Sequence, residues 1–332
     1  VTHIDFTAIL EARRAIAPYV LRTPAYRSAA LSEVAGHDVM LKAEHRQTTG
    51  SFKLRGATNA ILSLDPDARQ RGVCAASTGN HGRALAHAAR MTGARAVVCM
   101  SRLVPPNKVE AIEALGAEAR IVGMSQDDAQ CEVDALCAAE AMTDIPPFDH
   151  AAIIAGQGTL GIEIMEDLPR AEAVLVPLSG GGLIAGMARA IKTLNPSTRV
   201  IGISMERGAA MAAALSAGRP VDVEEVETLA DSLGGGIGLS NRHTFAMVRD
   251  LVDEVVLLTE AEIAAGIAHA YRVEREILEG AGAVGIAALL CGKVRPRGPV
   301  ALVLSGGNID MASHLDILTG RHPACRMEHA HG

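Results

Sequence analysis

Four short stretches of this chain carry residue types that could share one small ligand. In "TTGSFKLRGATNAI" (48–61), Lys53 follows a polar turn and an apolar Phe52, just as a helical pattern begins. Apolar seating penalises the ammonium form, so such a lysine gains neutral, nucleophilic character. In "VLVPLSGGGLIAGMARA", a β-branched run ends in Ser179-Gly180-Gly181-Gly182 and a helix begins. Consecutive glycines let backbone N–H groups turn inward, and the helix start adds about half a positive charge, which together suit a phosphate. In "ASTGNHGRALAHAA", Ser77, Thr78, Asn80 and His81 cluster at a second helix start, where side-chain donors can fork around a carboxylate. In "VALVLSGGNID", Ser305 ends a strand and could meet a heteroaromatic nitrogen.

Each stretch also has a plain structural reading. The glycines could form only a tight turn, Asn80 a left-handed corner, Ser305 a helix cap, and His81 a core contact. A dinucleotide site competes as well, because Glu206 ends the next strand, "VIGISME", where a ribose-binding acid would stand. The three consecutive glycines do not fit G-x-G-x-x-G, since Ala185 stands where the last glycine should be, and G-x-x-x-x-G-K-[ST] is absent. Phosphate cradle, carboxylate cradle, hydroxyl and apolar-seated lysine together match one cofactor, pyridoxal phosphate, whose aldehyde condenses with a lysine amine.

Composition sets the frame for those loops. The 332 residues are 49% hydrophobic but only 2% aromatic, with 33 glycines, so Ala, Val, Ile and Leu must build the core. Length allows two domains. A net charge of -7, with no basic run interleaved with aromatics, argues against nucleic acid. No apolar stretch is long enough to span a bilayer, and the charged N-terminal segment lacks a signal-peptide core, so the expected setting is cytoplasmic. The six cysteines form no C-x-x-C pair. Cys325 with His322, His329 and His331 could form a zinc clip, against the plainer reading of a frayed terminus.

Strand-like and helical runs alternate along the chain. "DVMLKAEH", "GVCAAS", "ARAVVCM" and "EARIVG" read as strands before the Pro146-Pro147 break, and "AVLVPLS", "TRVIGISM", "DEVVLLT" and "PVALVLS" after it. This pattern predicts an α/β fold of two doubly wound parallel-sheet domains. The boundaries read as 1–68 with 152–320 for a large domain, 69–151 for a small one, and 321–332 for a flexible tail. In such folds the ligand lies beyond the carboxyl ends of the strands, which is where all four stretches sit.

"GSFKLRGA", "STGNHG", "IAGQGT", "SGGGL", "LADSLGGGIGL" and "LSGGN" occur in an order that resembles fold-type-II pyridoxal-phosphate enzymes of the serine/threonine dehydratase and serine racemase family, with a tryptophan synthase β-like fold. The resemblance runs from Arg22-Thr23-Pro24 to about residue 318, and "VPPNKVEAIEALGAEARIVGMSQDDA" with "SMERGAAM" resembles the hydroxyectoine-utilisation dehydratase branch. It implies that Lys53 is the Schiff-base lysine and the base at the substrate α-carbon. Phe52 and Asn80 would flank the pyridine ring and its 3-hydroxyl. Gly180, Gly181, Gly182 and Leu183 would hold the phosphate, and Ser305 would meet the ring nitrogen. Ser77, Thr78, Asn80 and His81 would line the carboxylate site. The implied reaction is β-elimination from a β-hydroxy amino acid to a 2-oxo acid and ammonia, by a homodimer.

Three departures from the family pattern matter. Thr78 stands where racemases place a serine for protonation, which crowds but does not remove that acid, so racemase-like activity stays an alternative. Glu206 and the Ala210 carbonyl match two ligands of the family's Mg²⁺ or Ca²⁺ site, but Ala212 replaces the third, a carboxylate, which weakens hard-cation binding. No regulatory domain follows, so isoleucine feedback is not expected. Where racemases direct an arginine at the far end of the substrate, this chain has Ser125-Gln126-Asp127-Asp128. Gln126 suits an amide or ammonium, as in a ring-opened hydroxyectoine derivative, and a cation would suit 3-hydroxyaspartate. Serine or threonine remains a further alternative, and the two aspartates could simply charge a helix start.

Overall fold

The computed structural model describes residues 4–77, 79–104 and 106–323. Thr78 and the tail positions Cys325, His329 and His331 therefore lie outside the described residues. Ten strands form in chain order: β1 (Ala25–Ser28), β2 (Val39–Lys42), β3 (Val73–Ala76), β4 (Ala96–Met100), β5 (Glu118–Ile121), β6 (Thr143–Asp144), β7 (Ala173–Pro177), β8 (Arg199–Met205), β9 (Glu254–Leu258) and β10 (Val300–Val303). They make a six-stranded sheet ordered β1-β2-β10-β7-β8-β9 and a four-stranded sheet ordered β5-β4-β3-β6.

All pairings are parallel except β1 with β2. The sequence pattern passes over β1 and β6, and both omissions have a physical reason. "AYRS" is a half-exposed edge with no β-branched residue, and β6 is two residues long. An antiparallel strand at the margin of a parallel sheet is a common way to end it. The central strands β3, β4 and β7 are buried along their whole length, as expected of strands covered by helices on both faces.

The helix Lys53–Leu62 belongs to neither sheet alone. Its Leu54, Ala57, Ala60 and Ile61 pack in one cluster with Val73, Ala75 and Leu85 of the smaller sheet's layer. Its other face meets the helix Ala151–Asp167 at glycine contacts. A Cβ on Gly156 would lie 2.7 Å from the Arg55 carbonyl oxygen, so the two backbones touch.

Arg55 fixes this helix from behind. Its guanidinium donates to Glu44 at 2.8 and 2.8 Å and to Glu163 at 2.7 and 3.0 Å. The Lys42 ammonium meets Glu163 at 2.8 Å, and the Thr23 hydroxyl donates to Glu44. Arg55 and Lys42 are fully buried. Burial alone would push the Glu44 carboxyl up, but the Arg55 guanidinium holds it below the ordinary range. Such a network costs desolvation and returns geometric definition. Replacing Arg55 by alanine removes the guanidinium shared by the buried Glu44 and Glu163 carboxylates, so Arg55→Ala should lower unfolding free energy by roughly 3–5 kcal/mol. Urea denaturation would measure this, and a loss below about 1 kcal/mol would contradict the buried-network account.

Candidate active site

The carboxyl end of β7, the start of β10's loop and the mouth of β3 converge on one cavity of about 280 Å³. Phe52, Lys53, Ser77, Asn80, His81, Gln126, Gly180, Gly181, Gly182, Leu183 and Ser305 all line it. Every described residue that sequence reading assigned to cofactor or substrate is thus in one place. Glu206 and Ala210 are not part of it.

Lys53 begins its helix and reaches into the cavity, where Nζ donates to the Pro147 carbonyl at 2.8 Å and lies 5.3 Å from the centre of the Phe52 ring. Desolvation pushes its amine down to about 8, opposed by the charge of Glu279. The Phe52 N–H donates to the Ser305 carbonyl at 3.0 Å, which pins the lysine turn to the β10 loop.

The two helix mouths share a glycine at the N-cap. Six other helices are capped by the side chains of Asp5, Ser28, Asp65, Ser125, Thr259 and Asp310. The helices Gly182–Leu194 and Asn80–Thr92 have glycine N-caps, Gly181 and Gly79, which carry no capping side chain, and in the second helix the Ser77 hydroxyl accepts the Gly82 N–H at 3.1 Å. Apart from that of Gly82, their first N–H groups remain available for an anion. At Gly181 the backbone is left-handed, φ +88°, which favours glycine. A Cβ on Gly180 would lie 2.4 Å from the Phe148 ring, and one on Gly182 would meet the Phe148 backbone at 2.9 Å. The glycines therefore admit a close-packed phenylalanine as well as a ligand. This donor set, a bare anion cradle with a desolvated amine in the same cavity, fits pyridoxal phosphate.

His81 has a narrower repertoire than its sequence position implied. Its Nε2 lies 2.7 Å from the Ile145 carbonyl, an acceptor only, so Nε2 carries the proton. Burial, with Lys53 nearby, lowers its pKa to about 3, so the ring is neutral and Nδ1 is a buried atom without a hydrogen-bond partner. The imidazole can accept a hydrogen bond there but cannot donate one to a carboxylate. That donor role falls to the Ser77 hydroxyl and the helix backbone.

Glu206 stands half-exposed at the end of β8, and Lys293 approaches its carboxylate at 3.4 Å. The same ammonium meets Glu262 at 2.7 Å and the Leu257 carbonyl at 2.9 Å. Among the described residues no group of three or more His, Cys, Asp or Glu is placed to hold a metal ion.

Several cavity residues escaped sequence reading. The Pro146-Pro147 break is a hub: Pro147 receives the lysine, Phe148 packs on the glycine loop, and Asp149 accepts the N–H groups of Arg242, His243 and Thr244 at 2.6, 2.9 and 2.9 Å. An aromatic beside a proline pair, in a chain with only four phenylalanines, was the available signal. Lys108, Asp231, Ser232 and Glu279 also line the cavity; the first three lie inside stretches that carry the family resemblance but were given no role there, and Glu279 lies outside them.

The family model for pyridoxal-phosphate dependent enzymes matches residues 16–306. A Sinorhizobium fredii protein provisionally named a threonine dehydratase is 60% identical over 320 residues, 96% of either chain. The L-threonine ammonia-lyase of Thermotoga maritima is 43% identical over 309 residues, covering 93% of this chain and 76% of that one. The structure of maize serine racemase superposes with a TM-score of 0.89 at 32% identity, covering 99% of both chains.

The lowered amine pKa has a direct consequence. In coenzyme-free protein, amine-directed labelling of Lys53 should be half-maximal near pH 8, read by peptide mass spectrometry. Ordinary lysines reach that point only near pH 10.4. Labelling of Lys53 that tracks the exposed lysines would show that the cavity does not desolvate it.

Proposed function

This chain belongs to the pyridoxal-phosphate dependent enzyme family, and from that membership we propose that it is a carbon–nitrogen lyase. It removes water and then ammonia from a β-hydroxy amino acid and leaves a 2-oxo acid. The observation that carries this reading is the desolvated Lys53 amine in one cavity with two glycine-capped helix mouths. The names of its relatives, a threonine ammonia-lyase among them, support the same reaction class.

Gly180, Gly181, Gly182 and Leu183 would hold the coenzyme phosphate through backbone N–H groups, with Phe52 beside the ring, Asn80 near its 3-oxygen and Ser305 at its nitrogen. Pyridoxal phosphate supplies an electrophilic aldehyde and a conjugated ring that takes up the electron pair of a broken Cα–H bond. Lys53 would hold that aldehyde in the absence of substrate, and its amine, once released, would accept the α-proton as base. A pKa near 8 leaves a useful fraction of neutral amine at physiological pH. Ser77 and the first backbone N–H groups of Asn80–Thr92 would orient the substrate carboxylate, with Thr78 in the same segment. Ser305 offers a hydroxyl rather than a carboxylate to the ring, which favours loss of a β-substituent over transamination.

Within this class we favour a substrate with a distal amide or ammonium, such as a ring-opened hydroxyectoine derivative. Gln126 spends Nε2 on the Ala76 carbonyl at 2.9 Å, which leaves its oxygen as an acceptor, and Asp231 lines the same cavity. Lys108 supports a second reading, because a cation there would suit 3-hydroxyaspartate. Serine and threonine need neither group. Release of ammonia and 2-oxo acid from a panel of hydroxylated diaminobutyrate, 3-hydroxyaspartate, serine and threonine should rank the first highest in kcat/KM. Lys53→Ala should abolish turnover on all of them while the fold persists. Full activity of that variant would overturn the assignment, and a preference for 3-hydroxyaspartate or threonine would overturn the substrate reading alone.

A homodimer and a cytoplasmic setting belong to the same proposal. Tyr271, Val273, Ile277, Met311 and Leu315 are each 41% to 56% exposed on neighbouring segments, joined by the edge contact of Tyr271 with His314. A grouping of large apolar side chains of this kind suits a second copy. The five described cysteines are free thiols, in keeping with a reducing compartment. Sedimentation should give a dimer that Ile277→Lys with Leu315→Lys weakens, and a monomeric parent protein would refute the interface.

A further inference from the structure

Asn80, at the mouth of its helix, is gripped from two sides by loops of the larger sheet. Asn308 Nδ2 donates to Asn80 Oδ1 at 2.6 Å, and Asn80 Nδ2 donates to Glu279 Oε1 at 2.7 Å. Asn308 Nδ2 also donates to the Thr49 carbonyl at 2.9 Å. A carbonyl only accepts, so it fixes which end of the Asn308 amide is nitrogen, and that in turn fixes Asn80. The relay therefore has one direction, with Thr49 as acceptor at one end and the Glu279 carboxyl as acceptor at the other.

A primary amide has two N–H donors. Glu279 takes one from Asn80, and Asn308 occupies the Asn80 oxygen, so a single N–H remains for the cavity that Asn80 lines. The backbone makes room for this arrangement. A Cβ on Gly306 would lie 2.4 Å from Glu279 Oε1 and 3.3 Å from Asn80 Nδ2, so carboxyl and amide rest on a bare peptide. Glu279 is itself held by its own N–H, which donates to the Gly306 carbonyl at 3.2 Å, and by the Asn308 N–H and the Ser232 side chain. The charged groups facing it are Asp231, beside Ser232, and Lys53 across the cavity.

We propose that Glu279 is a positioning residue for the coenzyme: by accepting one N–H of Asn80 it presents the other as a fixed donor that selects an acceptor oxygen at position 3 of the pyridine ring. This rests on the reading above that pyridoxal phosphate lies in this cavity with Asn80 beside its 3-oxygen. Burial raises the Glu279 carboxyl to about 7, so it changes charge in the working range. Neutral or ionised, it keeps an oxygen that accepts from Asn80. The glutamine isostere keeps such an oxygen too, and alanine does not.

The test compares two probes on coenzyme-free protein, pyridoxal phosphate and 3-deoxypyridoxal phosphate, by equilibrium titration of intrinsic absorbance. Glu279→Ala should weaken pyridoxal phosphate binding about tenfold, the size of one hydrogen bond, while binding of the deoxy analogue changes less than about twofold. Glu279→Gln should restore the discrimination. Equal loss on both probes, no loss on either, or a Glu279→Gln variant as impaired as the alanine one would each overturn the proposal. Should Glu279→Ala fail to fold, Glu279→Met, which fills similar volume without an acceptor oxygen, carries the same comparison. A parent protein that bound neither probe would instead overturn the coenzyme reading, and this inference with it.

Discussion

An ammonium group removed from bulk water must be paired, or it gives up its proton, and the site is organised around that choice at Lys53. The amine meets a proline carbonyl and a phenylalanine ring rather than a carboxylate, so desolvation wins and the pKa falls. Glu279 is close enough to oppose the shift and is largely engaged elsewhere, by Asn80, Asn308 and Ser232. A salt-bridged lysine in the same cavity would be a poor nucleophile and a poor base.

Keeping that amine in place takes rigid support, and the chain supplies it behind the helix. Arg55, two residues on, points away from the cavity into a buried network with Glu44, Glu163 and Lys42. The Gly56–Gly156 approach draws the same helix against Ala151–Asp167. Charge inside the core is an expensive way to gain stability but an effective way to specify one register. The amine and the two glycine-capped helix mouths are thereby set relative to one another by the fold itself.

Segments between the sheets complete the site. Pro147, Phe148 and Asp149 touch the lysine, the glycine loop and the helix Thr244–Leu251 in three consecutive residues. Asn80 reaches from the smaller sheet's layer to Glu279 and Asn308 of the larger. Each cradle therefore depends on both halves of the molecule, which explains why neither Gly-rich loop alone identified the ligand.

The alternation of β-branched and amphipathic runs was enough to read an α/β fold and eight of its strands, because buried parallel strands need continuous apolar stretches. Lys53, Phe52, the 180–183 loop, Asn80 and Ser305 were legible for a related reason. Turn chemistry and helix starts are local, and a ligand cradle built from them leaves its mark in consecutive residues. The ionisation of the site was not legible. That His81 is a neutral acceptor follows from the Ile145 carbonyl, 64 residues away, and the direction of the Asn80 amide follows from Thr49 and Glu279. Sequence by itself determined which groups are available; only the tertiary structure decided which are dry, which are paired and which way each amide points, because desolvation and hydrogen-bond direction arise from neighbours that the chain brings together only on folding.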